Sequence, residues 1–184
     1  MNVTSVTKFD ESRAYRNTLS NFITGIVLIT CLDADNNPFG ITINSFSSVS
    51  LNPKIISWSL GKQNKYKNEF VSKNYLIQIL HASQKDIAAQ FSKTELSKNF
   101  NTELFQMYNN LPLLNNCLAW FECNLFAIHE VGDHILLLSK VVKFADNTNE
   151  EMQQENIALK PNSTALSDSG LAFFRREIFG LNKN

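Results

Sequence analysis

The chain has 184 residues with 17 Lys+Arg against 17 Asp+Glu and no long basic run, which excludes the clustered positive charge that a nucleic-acid or anionic-membrane binder needs. Hydrophobic residues make up 43% and aromatics 11%, 14 of them Phe, which argues against a disordered chain and predicts one packed domain over residues 1–184. Cys31, Cys117 and Cys123 fit neither a disulfide framework nor a metal pair, and no signal-peptide core or membrane-length apolar run is present, so a cytoplasmic protein with reduced thiols is expected.

In chain order, the first element is a short amphipathic helix from Phe9 to Phe22, with Tyr15, Leu19 and Phe22 on one face and Asp10 as its N-cap. The β-branched run Ile26–Leu32 then breaks at Asp33-Ala34-Asp35-Asn36-Asn37-Pro38. Strand-like residues resume from Phe39 to Phe46, which predicts a hairpin. Further strands are expected at Ile55–Leu60 and Tyr75–Leu80, a helical turn at Tyr66–Ser72, and a helix at Ser83–Phe91 capped by Ser83. Residues 92–116 show no sustained period and read mostly as loop. The two longest strand candidates, Ala119–Ile128 and Ile135–Phe144, flank a turn at Gly132-Asp133. After a polar excursion from Asp146 to Ser169, the apolar and basic run Leu171–Arg176 predicts a tail that docks. Strands come as neighbouring hairpins instead of alternating with long helices, so the expected fold is mainly β, an antiparallel barrel with a few short peripheral helices. Cys31, Cys123, Trp58 and Trp120 fall at strand positions and read as core; Cys117 reads as exposed.

The six glycines are too dispersed for a G-x-G-x-x-G or P-loop, and no H-E-x-x-H, C-x-x-C or G-x-S-x-G is present. The densest chemistry is Thr42–Ser50, where Thr42, Asn44, Ser45, Ser47, Ser48 and Ser50 place six hydroxyl or amide side chains at the end of a strand and into a turn. Such a run aims hydroxyls and backbone N–H groups at a phosphate or polyol; a polar strand edge with a Ser-rich turn is the plainer alternative.

The segment Gly40-Ile41-Thr42-Ile43-Asn44-Ser45-Phe46-Ser47-Ser48-Val49-Ser50-Leu51-Asn52-Pro53, preceded by Gly25-Ile26-Val27-Leu28-Ile29-Thr30, resembles the signature of the flavin reductase family, the NAD(P)H:flavin oxidoreductases that serve two-component monooxygenases. The likeness continues in order through Ser72–Leu80, Gln84–Phe91, Leu111–Leu114 with Leu118–Cys123, Gly132-Asp133-His134 and Phe173-Phe174-Arg175. It implies an FMN-binding split antiparallel β-barrel, a homodimer, and hydride transfer from NADH or NADPH to FMN, with FAD possible as the flavin, for a flavin-dependent monooxygenase or another acceptor. A split-barrel flavoprotein that carries FMN without turnover is the alternative.

By position, the resemblance implies flavin contacts from Thr42, Asn44, Ser45, Phe46, Ser48, Val49, Ser50, Gln78 and Phe91, with Lys65 compensating the phosphate charge. It implies nicotinamide or dinucleotide contacts from His134, Phe174 and Arg175. No nucleophile, general base or metal is implied, because nicotinamide and flavin carry the hydride chemistry themselves. Four residues depart from the family pattern: Gln78 stands for the usual Asn, Ser92 for Ala, and Asn110 and Arg176 for Gly.

Overall fold

The computed structural model describes residues 10–93, 97–146 and 169–181. Its elements are α1 (Glu11–Leu19), β1 (Thr24–Gly25), β2 (Val27–Leu32), β3 (Pro38–Ile43), β4 (Ser47–Leu51), β5 (Lys54–Gly61), α2 (Lys67–Ser72), β6 (Tyr75–Ile79), α3 (Lys85–Phe91), β7 (Phe105–Tyr108), β8 (Leu111–Leu114), β9 (Ala119–Val131), β10 (His134–Asp146), β11 (Gly170–Phe174) and β12 (Glu177–Leu181). Among the described residues no helix is long and apolar enough to cross a membrane.

Seven strands form one antiparallel sheet in the order β3-β2-β6-β9-β10-β5-β4. The sheet curls because of what its inner face must bury. In a flat sheet β3 and β5 lie five strand spacings apart, about 24 Å. Yet the Phe70 ring of α2 meets Phe39 of β3 at 5.1 Å, Trp58 of β5 at 5.2 Å and Tyr75 of β6 at 5.9 Å. The sheet is therefore wrapped around one aromatic cluster with α2 as its plug. Val27, Ile29, Ile41, Ile77, Ile135 and Leu137 fill the same interior. Inside it, the Trp58 indole N–H donates to Ser139 Oγ (3.1 Å), which also bonds the Tyr75 hydroxyl (2.6 Å), so the polar tips of these buried rings are satisfied. No ladder joins the outer strands β3 and β4 among the described residues, which leaves the barrel split. Ser45, between them, bridges to β5 by accepting the Ser59 N–H at 3.0 Å.

β2 and β6 are buried on both faces. Their outer sides pack Leu28 against Leu80, Phe91, Leu114 and Leu171, and Leu76 against Leu111, Leu113 and Trp120. The expected docking of the tail is met by β11, which pairs with β1 (Thr24↔Phe173) and with β12.

Several expectations are corrected. Residues 92–116 hold a hairpin, β7–β8, turned by Asn109 and Asn110 with φ of 48° and 62°. Its strands are four residues each and one contains a proline, too short for a readable period. His81, not Ser83, caps the helical segment leading into α3, accepting the Ser83 N–H at 3.1 Å. Cys117 is buried like Cys31 and Cys123; burial pushes the Cys117 thiol up to about 12 and Cys31 to about 11. Ser47–Leu51 is an edge strand with a bulge at Val49, where a turn was expected.

Gly40 is required by close packing. A Cβ there would sit 3.0 Å from Phe91 Cδ1 and 3.3 Å from Leu28 Cδ1. Phe91 cannot retreat, because Phe100 and Phe105 pack on it at 5.0 and 5.9 Å. Replacing Gly40 with Ala is expected to destabilise the protein by about 1–3 kcal/mol through overpacking, read from urea unfolding; an unchanged midpoint would show that the Phe91 cluster yields.

Candidate functional site

The strand registers deliver polar residues to one cavity of about 310 Å³, at the low end of the roughly 300–1,000 Å³ typical of small-molecule sites. The end of β3 contributes Thr42, Asn44 and Ser45; β5 contributes Ser59 and Gly61; α3 contributes Phe91 and Ser92 at its end. His134 reaches it because β10 begins opposite the end of β5, in the pair His134↔Gly61. The hairpin turn before it needs a positive φ at its first position, which Gly132 supplies at 56°. The turn is latched to the end of β5: the Lys62 N–H donates to the Asp133 carbonyl at 2.9 Å, and Lys62 Nζ pairs with Glu130 at 3.0 Å.

Of the residues singled out from the sequence, the cavity gathers Thr42, Asn44, Ser45, Phe91 and His134. Phe46 is outside its lining and packs against Phe121 at 6.1 Å. Ser48, Val49 and Ser50 lie along the edge strand, outside the lining, and the Ser48 and Ser50 hydroxyls make no hydrogen bond within the described residues. Lys65 stands beside the site with Nζ 4.8 Å from the ring centre of Tyr66, a lining residue. Phe174 and Arg175 sit at the tip of the β11–β12 hairpin.

Gln78 is corrected outright. It is fully buried and its amide is consumed inside the protein, donating to Thr30 Oγ1 (2.8 Å) and accepting from the Leu114 N–H (2.6 Å). Together with the Thr30 hydroxyl, which donates to the Pro112 carbonyl (2.5 Å), it ties β8 to the barrel, and it is outside the cavity lining.

Sequence reasoning missed Ser59, Asn64, Tyr66 and Ser97, which come from three separated segments. Tyr66 forms a wall, stacked on Phe39 at 4.2 Å, with its hydroxyl accepting from Ser97 Oγ at 3.2 Å. The Ser97 carbonyl in turn accepts the Gly40 N–H at 2.8 Å. Next to it, Lys98 pairs with Asp33, whose carboxylate also accepts the Asp35 and Asn37 N–H groups at 2.9 Å each. The β2–β3 turn thus pins the Ser97 wall.

The lining is neutral apart from His134, and its imidazole Nδ1 is engaged by Asp133 Oδ1 at 2.7 Å, which leaves Nε2 for a ligand. That hydrogen bond and the charge His134 carries when protonated hold the Asp133 carboxyl below its usual range. The Thr42 hydroxyl is shielded and has no protein partner. Aromatic walls, hydroxyl and amide groups and an unpartnered shielded hydroxyl suit a neutral heteroaromatic ring rich in carbonyl and imine groups, which a flavin is. Among the described residues no cluster of His, Cys, Asp or Glu suits a metal ion.

Comparison with known proteins agrees with this chemistry. The family model for the flavin reductase like domain matches residues 19–181. The chain belongs to the flavin reductase-like family. It is 32% identical over 142 residues to the FMN reductase (NADH) SmoA of Agrobacterium fabrum, covering 74% of this chain and 78% of that protein. It is also 32% identical over 133 residues to the reductase component of the flavin-dependent trigonelline monooxygenase of Acinetobacter baylyi, covering 72% of this chain and 43% of that one. The chain therefore spans between under half and about three quarters of the length of these relatives. In fold it superimposes on BorF, the flavin reductase component of a bacterial two-component tryptophan halogenase, with a TM-score of 0.78 and 22% identity over 95% of this chain and 100% of that one.

The Asp33 clasp carries a pH prediction. The hydrogen bond from Lys98, helped by the two backbone N–H groups, lowers the Asp33 carboxyl from 3.8 to about 2. A carboxylate with a depressed folded-state value stabilises the fold above its unfolded value and loses that contribution as the pH falls through the folded one. Asp33→Asn is therefore expected to melt below wild type at pH 7, the difference fading between about pH 4 and pH 2; equal melting temperatures at pH 7 would show the clasp to be idle.

Proposed function

We propose that the protein uses NADH or NADPH to reduce flavin, with FMN preferred over FAD, and releases it to a flavin-dependent monooxygenase. The observation that carries this reading is the cavity itself: aromatic walls and a neutral donor set around the unpartnered Thr42 hydroxyl. The relatives, an NADH-dependent FMN reductase and a monooxygenase reductase component, support it.

In this reading Thr42, Asn44 and Ser45 hold the polar edge of the flavin ring, with Tyr66 and Phe91 as walls. The β4 edge, with the uncommitted hydroxyls of Ser48 and Ser50, receives the ribityl chain and phosphate, and Lys65 balances the phosphate charge. His134 presents Nε2 to the nicotinamide, and Phe174 and Arg175 cover the dinucleotide. Flavin supplies the hydride-accepting chemistry when bound. The chain's own contribution is orientation: stacking the two rings in a cavity that excludes water and aligning them by hydrogen bonds, which needs no acid or base. A homodimer would cover apolar side chains exposed on β4, β9 and β10, among them Leu51 (89%), Phe126 (56%) and Phe144 (42%), and these exposures support that reading.

The primary test is NADH or NADPH consumption by purified protein with and without added FMN; no consumption with either nucleotide refutes the reading. Replacing Ser48 and Ser50 together with Ala is expected to weaken FMN binding by about 1–3 kcal/mol, and unchanged affinity removes the phosphate assignment. His134→Ala is expected to raise KM for the nucleotide while FMN affinity stays near wild type. The opposite pattern reassigns His134 to the flavin.

A further inference from the structure

Ser97 lines the cavity and is 1% exposed, yet it opens a stretch, residues 97–104, that belongs to no helix or strand. A loop residue has no ladder to fix it, so its position is set by what it is tied to. The Ser97 carbonyl accepts the Gly40 N–H of β3 at 2.8 Å, and its hydroxyl donates to the Tyr66 hydroxyl at 3.2 Å. The next residue, Lys98, pairs with Asp33 in the β2–β3 turn.

The Asp33 carboxylate divides its two oxygens between two tasks. Oδ1 accepts the Asp35 and Asn37 N–H groups, both at 2.9 Å, and so closes the turn; Oδ2 takes Lys98 Nζ. Lys73 Nζ binds the backbone carbonyl of the same residue, not its carboxylate. The turn itself needs one acceptor oxygen, which an asparagine supplies as well as an aspartate. A negative charge on a side chain that is 6% exposed therefore serves the Lys98 end. Compared with an apolar contact of similar size a buried ion pair gains little net stability, and its best-attested use is to fix one register.

What the pair registers is the cavity wall. Lys98 Nζ stands 5.9 Å from the Tyr66 ring centre, and Tyr66 stacks on Phe39, at the start of β3, at 4.2 Å. The contacts form a closed circuit: from Asp33 to Lys98, through Ser97 to Tyr66 and Phe39, and back along the chain to the turn. Ser97 and Tyr66 line the cavity, while Asp33 and Lys98 stay outside its lining.

We propose that Asp33 and Lys98 are positioning residues for the flavin: their ion pair holds Ser97 against Gly40 and Tyr66, at the spacing a bound ring requires. With the pair broken, the Ser97 segment moves off β3 and one wall of the cavity is lost, although no residue touching the ligand has been changed. This role rests on the flavin-binding reading of the cavity.

The test pairs a readout that needs no flavin with one that does. Hydrogen exchange of the Gly40 amide, followed by NMR in the flavin-free protein, reports whether the Ser97 carbonyl stays in place; titration with FMN reports the site. Asp33→Asn keeps an oxygen for the turn, and Lys98→Gln leaves Asp33 untouched. Each is expected to speed Gly40 exchange roughly tenfold and to weaken FMN binding by about five- to tenfold. The double variant is expected to lose no more than either single one, because the two residues act as a pair. Lys98→Arg, which keeps the charge, is expected to return both readouts to within about twofold of wild type. Ile29→Val, which loosens the core away from the clasp, is expected to change neither. Unchanged Gly40 exchange, FMN affinity that holds while exchange quickens, single losses that multiply in the double variant, no rescue by arginine, or equal losses in Ile29→Val each overturns the proposal. Failure of the underlying reading has a different signature, a wild-type protein that binds no FMN and consumes no nucleotide, and the proposed role falls with it.

Discussion

The wrapping of one sheet around the Phe70 ring is the constraint on which the rest of the structure depends. Phe70 meets rings from the first, third and sixth strands of the sheet order, and this is possible only if the sheet curls. Curling brings the outer strands β3 and β4 round toward each other without pairing them. A cleft results where the barrel fails to close, bounded by the end of β3, the end of β5 and the start of β10. The same aromatic stack extends through Phe39 to Tyr66, so the plug of the core and one wall of the cavity are a continuous piece of packing.

Polar groups are sorted by depth. The buried ones are spent on architecture: Gln78 and Thr30 on β8, Ser139 on the rings of Trp58 and Tyr75, Asp33 on the turn that pins Ser97. Each is multiply bonded, as burial demands. Those at the cleft, Thr42 and Asn44, remain available, and Lys65 stands beside the lining residue Tyr66. A neutral lining with aromatic walls suits an uncharged aromatic ring.

The cavity walls rest on a few close packings. Phe91 lines the site and also forms one aromatic group with Phe100 and Phe105, and Gly40 is small so that this ring can lie against the barrel. The His134 turn is latched to Lys62 through both backbone and side chain. The site is thus built on strand ends and latched turns whose positions are set by ladder register, which gives it the rigidity that precise ligand orientation needs.

The features legible in the chain alone were local and periodic. The amphipathic α1 with its Asp10 cap, the β2–β3 hairpin, the long β9–β10 hairpin and its Gly132 turn are all carried by nearest neighbours, and an ordered set of motifs was enough to indicate the family. Thr42, Asn44 and Ser45 were legible because they sit together in one strand end. Ser59, Tyr66 and Ser97 were not, because they meet only when the sheet curls. Gln78 read as a ligand contact and proved to be a structural tie, since its partners Thr30 and Leu114 lie 48 and 36 residues away. The short strands β7 and β8 left no period to read, and their pairing depends on those same buried bonds. Side-chain chemistry is written in the sequence, but which face of a strand sees ligand and which sees core is decided by register and curvature, and these exist only in the folded chain.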